Sequence, residues 1–141
     1  MSFIGEYSHN MDAKGRAFIP AKFREGLGEH FVVTKGVETC LYLYPEDEWE
    51  VIEQRIKEMP MSKSTRSLQR YFFSSAADVE PDKQGRILLP QTLREHAKLS
   101  RELIIVGVSN RVEIWDKQLW EETIDTLSPE DIEETIGGIS F

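Results

Sequence analysis

The feature that most constrains this chain is a nine-residue pattern that occurs twice. Asp12, Gly15, Arg16 and Pro20 stand in Asp-Ala-Lys-Gly-Arg-Ala-Phe-Ile-Pro, and seventy positions later Asp82, Gly85, Arg86 and Pro90 stand in Asp-Lys-Gln-Gly-Arg-Ile-Leu-Leu-Pro. Both copies fit D-x-x-G-R-x-x-x-P. The likeness runs on, with Phe23-Arg24-Glu25 answered by Leu93-Arg94-Glu95, and Gly36-Val37, Leu43-Tyr44 and Trp49 answered one residue late by Gly107-Val108, Ile114-Trp115 and Trp120. A unit of about 50 residues is therefore used twice. In a chain of 141 residues neither unit is large enough to bury a sufficient core alone, so the two are expected to share one.

Each copy reads as strand, turn, strand and short helix. Phe3 to Tyr7 leads into the first turn, Ala17 to Ile19 returns from it, and Pro20 ends the ladder because it has no N–H to donate. Ala21 to Gly28 follows as a short helical turn closed by glycine. Phe31 to Thr34 and Cys40 to Tyr44, rich in β-branched and aromatic residues, are two further strands around a turn at Lys35 to Glu38. The second copy repeats the order, with Ala76 to Val79, Ile87 to Leu89, a helix over Gln91 to His96, and strands Leu103 to Val106 and Val112 to Trp115 about a turn at Ser109-Asn110.

Trp49, Ile52, Ile56 and Met59 recur at helical spacing between Pro45 and Pro60. A second helix, starting near Ser62 or Ser64 and carrying Leu68, Tyr71 and Phe72, bridges the copies, with Arg66 and Arg70 on a solvated face. Asp116 opens a helix bearing Leu119, Trp120 and Ile124. Ser128-Pro129-Glu130-Asp131 opens a last one, which Gly137-Gly138 ends. The class is α+β, mostly β. The expected divisions are 1–60 (first repeat and its following helix), 61–74 (linking helix), 75–127 (second repeat and its following helix) and 128–141 (acidic C-terminal helix and tail).

The net charge of −8 argues against a polyanionic partner until it is located. Residues 112–141 hold nine acids against Lys117 alone, which accounts for all of it. Residues 62–101 are basic, with eight lysines and arginines against four acids. Such asymmetry points to a basic working face beside an acidic flank. No apolar run approaches the roughly 18 residues of a membrane span, and no signal-peptide pattern opens the chain, so a soluble, cytoplasmic protein is expected. Cys40, the only cysteine, excludes an internal disulfide and sits in a strand pattern.

Enzymatic chemistry finds little support. Ser8, His9 and Asp12 are too close along one strand and turn to converge as a hydrolytic triad. His30 and His96 are isolated, no metal-ligand spacing occurs, and Gly15 and Gly85 stand alone, without a phosphate-cradling loop. Paired acids such as Glu121-Glu122 belong to helical charge runs. No catalytic residue, cofactor, metal or small-molecule substrate is expected.

The motif itself divides into two kinds of residue. Asp12 and Asp82 can bond the backbone two residues on, and Gly15 and Gly85 can take the positive φ that closes a turn. A turn makes no demand on the next position, yet arginine recurs there while its neighbours drift, Lys14 against Gln84 and Ala17 against Ile87. Arginine suits a planar, two-pronged approach to phosphate or to the acceptor edge of guanine. Lys14, Lys22 and Arg24 accompany Arg16, and Lys83, Arg94 and Lys98 accompany Arg86.

Together the two turns, the Leu41-Tyr42-Leu43-Tyr44-Pro45 strand end with Glu48-Trp49, and the Glu113-Ile114-Trp115 strand resemble the MraZ family of bacterial transcriptional regulators over nearly the whole chain. The single turn is similar to the wider AbrB-like group, in which a swapped hairpin completes a small β-barrel. The resemblance implies two tandem AbrB-like units forming one pseudo-twofold barrel with flanking helices, assembly into a ring-shaped homo-oligomer, and a nucleoid-associated regulator. It implies binding to repeated promoter sites on double-stranded DNA ahead of the division and cell-wall genes. Carried over by position, it puts Arg16 and Arg86 on DNA with Lys14 beside the first, and Arg24 and Arg94 near it. Glu25 and Glu95 depart from a basic pair seen in some AbrB-like domains, which counts against the short helix as a contact surface, and Gln84 replaces a lysine in the second turn, which favours the first repeat as the dominant contact. The rival reading is a non-enzymatic oligomeric scaffold that works through its apolar helix faces and acidic tail.

Overall fold

The computed structural model describes residues 2–140. In chain order the elements are β1 (Phe3–Asn10), β2 (Arg16–Phe18), α1 (Ala21–Leu27), β3 (Phe31–Lys35), β4 (Leu41–Pro45), α2 (Glu46–Lys57) and α3 (Lys63–Phe73). The second half follows with β5 (Ala77–Val79), β6 (Arg86–Leu88), α4 (Gln91–His96), β7 (Glu102–Ser109), β8 (Val112–Asp116), α5 (Lys117–Ile124) and α6 (Pro129–Ile136). Strand β1 runs three residues past the expected Tyr7 because β7 gives it a partner along its whole length, from Phe3↔Ser109 to Asn10↔Glu102. Helix α2 stops at Lys57, short of Met59, since the residue before a proline is disfavoured in helical conformation; Met59 is exposed rather than packed.

The two halves are paired across one another. A six-stranded sheet has the order β1-β7-β8-β4-β3-β5, so the first strand of each half lies against the third strand of the other or its counterpart: β1 on β7, and β5 on β3. The short strands β2 and β6 form a separate two-stranded ribbon with each other. The closed barrel that the resemblance implies is not found among the described residues. Strands β2 and β6 are three residues each and run into Pro20 and Pro90, which leaves too little ladder to join the large sheet beyond the single bridge Met11↔Ala17.

Both faces of the large sheet are covered at its centre, which is why β4 and β8 are buried at every position, whereas the edge strand β1 is exposed over most of its length. Side chains alternate between two cores. Leu41, Leu43, Leu103, Ile105, Val112 and Ile114 face a main core that also holds Ala17, Ile19, Phe23, Ile87, Leu89 and Leu93, so residues of both repeats fill it. Tyr42, Tyr44, Ile104, Val106 and Trp115 face the other way, against Trp49 and Ile52 of α2, Phe72 of α3, and Leu119 and Trp120 of α5. Buried Glu113 on that side is satisfied by Arg111, whose Nη2 lies 2.7 Å away, and by the Trp115 indole N–H at 2.9 Å. Cys40 is buried at the same face, and loss of hydration pushes its thiol up to about 12, as suits a packing residue.

The repeat alignment is adjusted by the register. Leu103 stands opposite His9 as Phe31 stands opposite Val79, so β7 matches β3 at a shift two residues larger than the turns do. The β7–β8 connection then recovers one residue. Gly107 accordingly corresponds to Lys35 and not to Gly36. It is glycine for a local reason: a Cβ there would run into the backbone of Phe3 and Ile4 on β1.

Candidate functional site

Each motif builds the same turn. The Asp12 carboxylate accepts the backbone N–H groups of Lys14 at 3.0 Å and Arg16 at 2.9 Å, and Asp82 does so for Gln84 and Arg86, both at 2.9 Å. Gly15 and Gly85 take φ of +84° and +82°, where a side chain is strained. The second carboxylate oxygen receives the arginine's own Nε, at 2.7 Å from Arg16 and 3.0 Å from Arg86. Each aspartate therefore shapes the turn and also fixes the first joint of the guanidinium. The terminal Nη groups of Arg16 have no hydrogen-bond partner among the described residues, and Arg86 Nη1 lies 3.5 Å from Asp12.

The ribbon sets the two turns side by side. Arg16 pairs with Leu88 and Phe18 with Arg86, so these four side chains share one face of the ribbon, while Ala17 and Ile87 are fully buried on the other. Ladder bonds extend the link, the Ile19 N–H donating to Gly85 O at 2.9 Å and the Leu89 N–H to Gly15 O at 3.0 Å.

Arg24 and Arg94 reach across the ribbon. Arg24 donates from Nε to Ile19 O at 2.9 Å, yet its guanidinium covers Gly85 of the opposite turn; Arg94 donates to Leu89 O at 3.0 Å and covers Gly15. A Cβ on either glycine would come within 2.8 Å of that guanidinium carbon. The positive φ is what requires glycine here, and an added side chain would also displace the guanidinium lying over the turn. Arg24 also lies 5.6 Å from the Phe18 ring centroid, with His9 on that ring at 4.7 Å.

Of the residues singled out in the sequence, Arg16, Arg86, Arg24 and Arg94 converge on the ribbon, and exposed Lys14 sits at the tip of the first turn. Glu25 and Glu95 are exposed on the short helices. Sequence reasoning missed Phe18 and Leu88, the apolar members of the exposed face. Leu88 is 61% exposed, and the alternation Arg86-Ile87-Leu88 was the signal that it points with the arginine. The spatial exchange of Arg24 and Arg94 had no local signal.

The turn carboxylates titrate below their ordinary range. For Asp12 the largest cause is the Arg16 backbone N–H bond, opposed by partial desolvation, and Asp82 is lowered in the same way by Arg86. A lowered pKa in the folded state means that the unfolded chain takes up protons first as pH falls. The stabilisation is therefore complete above the ordinary value of 3.8 and is lost as pH drops through the depressed one. In an amide NMR titration, the Lys14, Arg16, Gln84 and Arg86 signals are expected to hold until the pH is below 3.8, and Asp12→Asn should remove the transition at the first turn. A midpoint at or above that value would contradict this account.

The chain is matched twice by the model of a family described as "MraZ protein, putative antitoxin-like", over residues 2–71 and 72–136. It is 60% identical over 119 residues to a protein of Carboxydothermus hydrogenoformans named transcriptional regulator MraZ, covering 84% of this chain and 83% of that one. A protein of the same name from Desulforamulus reducens is 55% identical over 120 residues, covering 84% of each chain. Another, from Alkaliphilus oremlandii, is 53% identical over 133 residues, covering 92% of this chain and 93% of its own. These relatives bear the name of a regulator and not of an enzyme, in agreement with the non-enzymatic reading of the residues. The doubled turn, its recurrence in a two-part family match and the extent of these identities lead to one conclusion: the chain belongs to the MraZ family.

Proposed function

We propose that this chain is a DNA-binding transcriptional regulator that grips double-stranded promoter DNA through its two arginine turns, with Arg16 and Arg86 at the bases and Lys14, Arg24 and Arg94 beside them. The reciprocal pairing of the repeats is read as an AbrB-like hairpin exchange completed within one chain. Division of the chain into two repeats, a linking helix and an acidic tail is part of the same reading. The observation that carries it is the side-by-side setting of the turns on the ribbon. Each arginine is held at Nε by its own aspartate, so little side-chain freedom remains to be lost on binding. Leu88, exposed between them, offers an apolar contact for a thymine methyl group.

A few arginines per chain hold DNA weakly. A ring of several copies presenting the turns at regular spacing adds these contacts, because each engagement after the first is intramolecular. Repeated sites ahead of the division and cell-wall genes are a fitting target, and the working place of such a protein is the cytoplasm, at the nucleoid.

The test is footprinting and anisotropy on the DNA upstream of the chain's own gene. Protection of repeated sites is expected, with affinity falling steeply between about 50 and 200 mM salt as counterions compete. Indifference to DNA at every salt concentration would favour the scaffold reading instead.

A further inference from the structure

The two turns are alike, but the clefts beside them are not. A cleft of about 650 Å³ adjoins the first turn and is lined by Asn10, Met11, Asp12, Arg94, Ser100 and Arg101. One of about 550 Å³ lies beside the second turn, lined by Arg24, Glu25, Glu29, Glu80 and Pro81. The strand registers make these counterparts. Leu103 and Phe31 occupy equivalent places opposite His9 and Val79, so Arg101, two residues before Leu103, stands where the other half has Glu29. Asn10 likewise stands where the other half has Glu80. Even the backbone differs at this point: Met11 N–H donates to Arg101 O at 2.7 Å, whereas Pro81 has no N–H to give.

The substitution reverses the charge of one cleft relative to the other. In the first, Arg94 and Arg101 stand against Asp12, which is already paired with Arg16. In the second, Arg24 stands against Glu25, Glu29 and Glu80. Lys98 lines the adjoining surface with Arg94 and Glu95, and each turn keeps one lysine, Lys14 or Lys83, so the contrast arises in the clefts. Arg101 is exposed and makes no ion pair among the described residues. Arg94, tied at Nε to Leu89 O, keeps its outer nitrogens for another acceptor.

We propose that the first cleft is a seat for a DNA backbone phosphodiester, bound by Arg94 and Arg101, and that Glu29 and Glu80 repel phosphate from its counterpart, so that DNA engages the two turns of each chain unequally, the first more closely than the second. This rests on the DNA-binding reading above. Phosphate contacts fix register and carry no sequence information, so the seat adds affinity to whatever bases Arg16 reads.

The experiment compares the full-length parent with Arg101→Ala, Arg101→Lys, the double variant Glu29→Gln with Glu80→Gln, and Arg16→Ala. Anisotropy is read on the duplex upstream of the chain's own gene and on a mixed-sequence duplex, across salt concentrations. Arg101→Ala is expected to weaken both duplexes by a similar factor and to lower the slope of log affinity against log salt by about 0.9 for each chain engaged. Arg101→Lys keeps most of that slope. The double glutamine variant binds more tightly than the parent and with a steeper slope. Parent affinity and slope in Arg101→Ala overturn the seat; an unchanged double variant overturns the exclusion by the acidic cleft. If Arg16→Ala alone loses binding, only the seat has failed. If it too binds as the parent does, or the parent binds no DNA, the underlying reading fails with it.

Discussion

Arg16→Ala is expected to lower affinity for the upstream duplex on the order of a hundredfold or more while leaving the fold and the assembly unchanged. A base-reading arginine is worth about 1–3 kcal/mol, and in a multivalent particle the loss recurs at every chain that touches the DNA. The turn itself should survive, because Asp12 still accepts the backbone N–H groups of residues 14 and 16 and Gly15 keeps its conformation. Arg16→Lys retains the charge but loses both the planar fork and the Nε bond to Asp12, so it should fall between the two. Arg86→Ala should cost less, since Gln84 stands in the second turn where the first has Lys14 beside its glycine, and the second turn's lysine, Lys83, lies one place earlier. Light scattering alongside anisotropy separates lost binding from lost assembly. Unchanged affinity in Arg16→Ala would remove the central functional proposal.

The second large effect concerns the shared core. Phe23→Ala is expected to cost about 3–5 kcal/mol, a large part of the roughly 5–15 kcal/mol that such proteins possess. Phe23 is 1% exposed and meets Phe3 and Tyr7 edge to face, at 6.1 and 5.2 Å between centroids. It anchors α1 onto β1, and β1 is the strand paired with β7 of the other repeat. The cavity therefore opens where the halves meet, and urea unfolding at matched protein concentration should show both repeats melting in one transition. Two separate transitions, or a loss below about 1 kcal/mol, would show that the repeats do not depend on one core. The neighbouring Arg24 is carried by the same helix, so DNA affinity should fall as well, by less than in Arg16→Ala.

Much of the site was legible because its chemistry is local. Asp12 and Asp82 act on groups two and four residues away, within the span of their own motifs. Ser128 and Asp131 form a reciprocal cap inside four residues, and Ser62 caps α3 by accepting the Thr65 N–H. Strand existence followed from apolar content, though the ends did not: β1 extends to Asn10 only because a partner continues beside it. The alignment of Gly36 with Gly107 was misleading for a related reason, since one connection gains two residues and the next gives one back.

By itself the sequence determined that one unit is used twice, that each unit carries a tight turn ending in arginine, and that the acidic charge is gathered at the C-terminal end, all of which depend on residue type and near-neighbour spacing. Only the tertiary structure decided that Arg24 lies on the Gly85 turn and Arg94 on the Gly15 turn, and that Arg101 and Glu29 occupy matching places beside them. The reason is physical: those relations come from pairing strands distant in the chain, and a register is set by how a whole buried face fits its partner, which no short stretch contains.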